Sequence, residues 1–173
     1  MSNRLICFNI QSLGDQLKPV AMLSMLEYIN TCVMSNERND PAAATWVYFD
    51  EIYLLLRDQL SAQFLYTSWK RFRKYNAYAT GITQNVQDCL TNDTAYAMLA
   101  NSEFVCMLRQ TKDIDSVVEL YGLSDPQKNY LKLAKPGQGI LKMGNNLIPF
   151  VNDHPTNTKI YRLLTTKPGE MEN

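Results

Sequence analysis

Thr45-Trp46-Val47-Tyr48-Phe49-Asp50-Glu51 is an apolar run that stops abruptly at two adjacent carboxylates. Short, β-branched and aromatic, with no polar alternation, it reads as a central strand of a parallel sheet, buried on both faces. Acids at the C-terminal end of such a strand stand where open α/β sheets bind their ligands. Taken alone, the run fits equally well a strand that ends in a solvated acidic turn.

Upstream, Arg4 to Ile10 reads as a second buried strand, followed by a turn over Ser12 to Asp15. Asp15 suits a helix N-cap, and Pro19 is tolerated in the first turn of the helix that follows. Val20, Leu23, Leu26, Ile29 and Val33 recur at helical spacing, and Ser35 to Ala44 is a polar loop leading into the acidic strand. Downstream, a helix is predicted from about Asp58 to Tyr75, with Leu60, Phe64, Leu65, Trp69 and Phe72 facing inward. Ala77 to Thr83 is a third strand, and its exit, Thr83-Gln84-Asn85, is polar. Asn85 suits the cap of a helical stretch over Val86 to Leu99, with a candidate break near Thr91 to Asp93.

Phe104 to Leu108 reads as a fourth buried strand. A helix over Asp113 to Tyr121 is closed by Gly122, and Ser124-Asp125-Pro126-Gln127 has the capping-box pattern of another. Ile140 to Met143, the turn Gly144-Asn145-Asn146 and Leu147 to Phe150 form a β-hairpin pattern, with Ile160 to Thr165 as a final strand. Strands alternating with helices, then a hairpin, predict an α/β fold with a mostly parallel sheet.

Composition narrows the function. At 173 residues the expectation is one domain over 1–173 with a real core. Lys plus Arg equals Asp plus Glu at 17 each, so the chain as a whole has no field that calls for nucleic acid, and any electrostatic argument is local. Cys7, Cys32, Cys89 and Cys106 lie far apart in apolar segments and read as buried reduced thiols. With His154 the single histidine, histidine-based metal or triad chemistry has little to work with. No apolar segment has the length that a membrane span requires.

The acids and the polar strand exit carry the chemistry. Asp50 and Glu51 occupy a Walker B position: the first acid holds Mg²⁺, directly or through water, and the second polarises the attacking water. Gln84, on the next strand, has an amide that both donates and accepts, suited to sensing a γ-phosphate or positioning water. Without the acids it is an ordinary capping turn. Lys70, Arg71, Arg73 and Lys74 end the predicted helix, where cations complement the helix dipole. The alternatives are an arginine reaching a nucleotide on a neighbouring subunit, or contact with nucleic-acid phosphates. A P-loop enzyme also needs Gly-x-x-x-x-Gly-Lys-Ser/Thr, and the chain contains no Gly-Lys dipeptide. Its one glycine cluster, Gly137-Gln138-Gly139, precedes a hairpin. If the chain is a P-loop ATPase it lacks the phosphate cradle, and it is expected to be a C-terminal fragment of a longer protein, carrying Walker B without Walker A.

Together, Phe49-Asp50-Glu51-Ile52-Tyr53-Leu54-Leu55-Leu56, Trp69-Lys70-Arg71-Phe72-Arg73-Lys74 and Thr80-Gly81-Ile82-Thr83-Gln84-Asn85-Val86 resemble the C-terminal ATPase domain of the VirB/TraE-type conjugal-transfer ATPases of type IV secretion systems. The resemblance continues through Gly137-Gln138-Gly139-Ile140-Leu141-Lys142, Ile148-Pro149-Phe150 and Tyr161-Arg162-Leu163, in the style of Gram-positive conjugative elements. It implies a partial three-layer RecA-like P-loop NTPase core that powers DNA or protein transfer in the intact protein by hydrolysing ATP with Mg²⁺. It further implies a hexamer, other conjugation subunits as partners, and a place at the cytoplasmic face of a bacterial cell membrane. Asp50 and Glu51 match the Walker B pair, with Asp50 toward Mg²⁺ and nucleotide. Gln84 matches the glutamine of the next motif, and Arg71 or Arg73 the trans-acting arginine. Family members more often continue Asp-Glu-Ala-His; here Ile52 and Tyr53 stand instead, which leaves no histidine there. The chain alone is expected to be inactive. The rival expectations are a non-catalytic interaction module of the transfer machinery and a DNA-translocating motor of the coupling-protein type.

Overall fold

The computed structural model describes residues 4–165 except 11, 15, 85 and 91. The caps expected at Asp15 and Asn85 lie outside the described residues. The described residues fall into two compact units, one within 1–101 and one within 102–173.

The first unit runs α1 (Lys18–Asn39), β1 (Thr45–Phe49), α2 (Tyr53–Leu56), α3 (Gln59–Phe72), β2 (Ala77–Gly81), α4 (Val86–Leu90) and α5 (Asp93–Ala100). β1 and β2 are parallel, in register from Thr45 opposite Ala77 to Phe49 opposite Gly81. A parallel pair needs a crossover, and α2 with α3 supplies it. Asp58 starts α3 as predicted, its carboxylate accepting from the N–H groups of Leu60 and Ser61 at 3.1 and 3.0 Å. Leu65 and Phe72 of α3 are buried with Met22, Leu26 and Val33 of α1, Phe49 of β1 and Ala77 of β2. Beneath them, Ser61 is fully buried at no cost in hydrogen bonding, since its hydroxyl donates to Leu55 O at 2.7 Å. Asn92, the cap of α5, ties that helix back to the crossover by donating to Leu56 O at 2.9 Å.

The second unit contains β3 (Phe104–Met107), α6 (Ile114–Tyr121), α7 (Asp125–Leu133), β4 (Gln138–Met143), β5 (Asn146–Val151) and α8 (Lys159–Leu164). Its sheet has the order β3-β4-β5, antiparallel throughout. The hairpin forms as predicted, with Gly144 at φ +56° in its turn. Gly122 closes α6 in the left-handed conformation, and Ser124 N–H donates to Gln127 Oε1 at 2.9 Å to start α7. Ile114, Val117, Leu131 and Ile140 form a small core. Lys128 donates to the Asp115 carboxylate, which holds that carboxyl below its ordinary range.

Five expectations are corrected. Residues 5–10 form no strand, and Leu5, Ile6 and Phe8 are exposed. β3 joins the antiparallel hairpin rather than the parallel pair: α6 and α7 return the chain so that β4 runs alongside it in the opposite direction. Residues 159–164 are helical: Thr158 accepts from Tyr161 N–H and so starts a turn where β-branched neighbours suggested a strand. Leu60 points outward from the first turn of α3, 69% exposed. Of the four thiols only Cys89 is buried, Cys32 is intermediate, and Cys7 and Cys106 are exposed.

Gly139 lies against the β3 backbone, and a Cβ there would press on the carbonyl oxygen of Met107. Gly139→Ala is therefore expected to destabilise the second unit by about 1–3 kcal/mol, the usual cost of overpacking. Leu65→Ala is expected to cost the first unit about 2–5 kcal/mol. Urea unfolding followed by circular dichroism measures both; a neutral Gly139→Ala would overturn the close-approach reading.

Candidate active site

The parallel register positions the site. Phe49 and Gly81 are the last paired residues, and the pairing continues past them as Ile82 N–H donates to Phe49 O at 2.8 Å and Ile52 N–H donates to Ile82 O at 2.9 Å. Asp50-Glu51 and Thr83-Gln84 must therefore leave the same edge of the sheet side by side. Gly81 packs against the Ile52 side chain, and a Cβ there would displace the terminal methyl of Ile52, 2.6 Å away.

Glu51 turns the chain from β1 into α2 with φ +49°, in the left-handed region. For a residue with a Cβ this conformation costs of order 1 kcal/mol, and such strain clusters at functional sites. The turn is held on both sides of the peptide: Glu51 N–H donates to Asp50 Oδ1 at 3.1 Å, and Gln84 Nε2 donates to Glu51 Oε1 at 2.6 Å. Glu51 Oε2 is shut off from solvent and has no hydrogen-bond partner among the described residues. A carboxylate oxygen in that state is a vacancy for a donor, because an unsatisfied buried acceptor is costly. Asp50 stands beside it, exposed.

Thus Asp50, Glu51 and Gln84 are brought together as the sequence predicted. Arg71 and Arg73 are not. Both are exposed at the C-terminal end of α3, which delivers the chain to the start of β2, and so lie near the opposite edge of the strands. A strand of five residues separates the two edges by roughly 15 Å. Within one chain, neither arginine lies beside the carboxylates.

Among the described residues no group of three or more His, Cys, Asp or Glu side chains could enclose a metal ion. Mg²⁺ at a nucleotide site does not require one, being held by one or two carboxylates together with phosphate oxygens and water. Asp50, with the orphaned oxygen of Glu51 next to it, fits that pattern.

Sequence reasoning missed an open sheet face. Trp46 and Tyr78 stack at 4.6 Å between ring centroids, and with Tyr48 they are 49 to 64% exposed. The signal was the apolar character of both faces, read as burial on both. It also missed a polar cleft lined by Arg57, Gln59, Gln63, Asn92, Asp93 and Thr94, whose parts are too far apart in the chain to form a motif.

The profile of the TraG P-loop domain matches residues 1–163. The chain belongs to the TraG P-loop domain family. Among solved structures it is similar to VirB4 of Thermoanaerobacter pseudethanolicus, with a TM-score of 0.73 and 26% identity over 84% of this chain. The match covers 39% of that VirB4 chain, so this TraG-family chain spans well under half the length of its structural relative. No curated protein matches it in sequence. The resemblance to conjugal-transfer ATPases of type IV secretion systems is thereby borne out, as is the α/β fold of a partial P-loop ATPase domain. No helix among the described residues is long and apolar enough to cross a membrane.

Glu51→Gly should relieve both the left-handed strain and the buried orphan oxygen, raising stability by about 1 kcal/mol. The comparison is by urea denaturation. A loss of 1 kcal/mol or more would show that the Gln84 contact outweighs the strain.

Proposed function

We propose that this chain is the Walker B-bearing part of a conjugative-transfer ATPase of the type IV secretion kind, which in its complete form hydrolyses ATP to drive substrate transfer. The observation that carries the proposal is the hydrogen bond from Gln84 Nε2 to Glu51 Oε1, 2.6 Å long, at the C-terminal edge of a parallel strand pair. It supports reading the two side chains as one working unit in a family whose domain is defined by a P-loop.

In this reading Asp50 faces the nucleotide and its Mg²⁺, which, when bound, neutralises charge on the phosphates. Glu51 is the base that orients and polarises water, with Gln84 fixing one carboxylate oxygen so that the other is aimed at the reacting water. Held this way, the carboxylate needs little reorganisation when water arrives, the condition under which electrostatic preorganisation is effective. Arg71 and Arg73, remote from the carboxylates of their own chain, suit a role toward a nucleotide on a neighbouring subunit of a hexamer. Other subunits of the secretion machinery are the partners, at the cytoplasmic face of the bacterial membrane. Phosphate cradling requires a glycine-rich loop, and these residues hold no Gly-Lys dipeptide, so the chain by itself is inactive.

Titration of the purified chain with a fluorescent ATP analogue and Mg²⁺ is expected to give no saturable binding, with no difference in Asp50→Ala. Hydrolysis by the chain alone that Glu51→Gln abolishes would overturn the claim of incompleteness. In the ATPase completed by a P-loop segment, Glu51→Gln is expected to lower the hydrolysis rate at least about 10²-fold while leaving nucleotide binding intact. Hydrolysis undiminished in that variant would remove Glu51 from the mechanism.

A further inference from the structure

Glu51 and Gln84 each begin a short path, and the two paths meet again a few residues on. From Glu51 the chain runs through α2 to Leu56, and from Gln84 through α4 to Asn92. Hydrogen bonds join them at both ends: Gln84 Nε2 donates to Glu51 Oε1 at 2.6 Å, and Asn92 Nδ2 donates to Leu56 O at 2.9 Å. Between the joints, Leu55 and Leu56 of α2 and Cys89 of α4 are buried in one core. The first joint is exposed to competing water and the second is partly buried. Glu51 holds the left-handed conformation at φ +49°. Strain of this kind persists only where the surroundings over-determine it, and one exposed hydrogen bond is no more than a match for it. The further constraint comes through α2. Leu54 N–H donates to Glu51 O at 2.9 Å, so the Glu51 carbonyl is the first acceptor of that helix. α2 has four residues, and a single turn does not hold itself, since nucleation fixes several dihedrals for one hydrogen bond. The last carbonyls of a helix find no partner within it. Here they are taken by side chains from later in the unit: Leu55 O accepts from the Ser61 hydroxyl at 2.7 Å, and Leu56 O accepts from Asn92.

We infer that Asn92 is a positioning residue for Glu51: its hydrogen bond to Leu56 O fixes α2, and through α2 the left-handed Glu51 peptide whose carboxylate Gln84 holds. The inference rests on the function proposed above, in which Glu51 is the base, and it assigns to that site a residue that acts through the backbone rather than on the reacting atoms. A carboxamide is the side chain this place requires. Asn92 Oδ1 accepts from the N–H groups of Thr94 and Ala95 at 2.9 and 3.2 Å, capping α5, while Nδ2 donates to Leu56 O. Asp or Ser caps a helix about as well as Asn. A carboxylate, however, has no proton to donate, and a serine hydroxyl sits on a shorter side chain. The two functions of Asn92 are therefore separable by substitution, the cap being kept and the bond to α2 lost.

The test uses the whole isotope-labelled chain in nuclear magnetic resonance and needs no nucleotide. Its readout is the resonance of the bonded Gln84 Nε2 proton, with Glu51→Ala as the reference for an unbonded carboxamide. Asn92→Asp and Asn92→Ser, checked for an intact α5 cap by unchanged amide exchange at Ala95, should each move that resonance at least halfway to the Glu51→Ala value. Asn30→Asp removes a bond of the same kind, from Asn30 Nδ2 to Ser68 Oγ at 3.0 Å between α1 and α3, and should leave the resonance in place. The unsubstituted chain supplies a second measurement that asks nothing of a variant's folding: hydrogen exchange of the Asn92 and Gln84 side-chain amides should follow one urea dependence. The inference is overturned if the Gln84 resonance stays in place in both Asn92 variants, if Asn30→Asp moves it as far, or if the two amides open independently. In the ATPase completed by a P-loop segment, Asn92→Asp should lower kcat at least about 10-fold and change KM for Mg²⁺–ATP less than about 2-fold. Undiminished hydrolysis in Glu51→Gln, with the Gln84 resonance still governed by Asn92, would remove the catalytic reading and retain the positioning. Hydrolysis lost in Glu51→Gln and undiminished in Asn92→Asp would do the reverse.

Discussion

Everything in the first unit depends on the register of two parallel strands. Thr45 lies opposite Ala77 and Phe49 opposite Gly81, and the pairing extends one step further through Ile82 and Ile52. A slip of one residue would reverse the faces. Were β1 the strand that slipped, Phe49 would leave the helical core and Tyr48 would enter it. The same slip would carry Gln84 away from Glu51. Core and candidate site are thus fixed by one ladder of backbone hydrogen bonds.

That ladder also explains why the site is strained. The chain must turn sharply after Phe49 to let α2 and α3 pack back on the sheet, and the turn falls on Glu51 in the left-handed region. A glycine would occupy this conformation at no steric cost, but it would carry no carboxylate. Gln84 holds one oxygen of the acid while the other remains buried and unpaired. Strain and an unsatisfied acceptor thus fall in one residue, at the C-terminal edge of a parallel pair, where the proposed mechanism requires its base.

The second unit follows a different logic. Its strands pair antiparallel, β4 with β5 through a tight turn and β3 with β4 across the α6–α7 connection, its core is formed around Leu131 and Ile140, and its glycines serve close approach. Gly137, at φ +81°, and Gly139 fit the backbone of neighbouring segments. The glycine cluster is therefore architectural, as its place before a hairpin indicated.

Local signals determined much of this protein. The apolar run ending in Asp50-Glu51, the start of α3 near Asp58, the Ser124 capping box and the Gly144 turn are all written within a few residues, and each formed where it was read. The proximity of Gln84 to Glu51 was legible because two parallel strands of equal length present their exits together. Tertiary structure decided the rest. Residues 5–10 have the composition of a strand but no strand beside them, and hydrogen bonding between strands needs a partner that composition cannot name. Phe104–Met107 has the apolar character of a parallel strand yet pairs with the hairpin, because direction is set by which edge the chain reaches. Arg71 and Arg73 are close to the acids in sequence terms and a strand length away in space, since a crossover helix returns the chain to the opposite edge of the sheet. Trp46 and Tyr48 read as buried, and they are exposed, because burial belongs to whatever packs against a face rather than to the face itself.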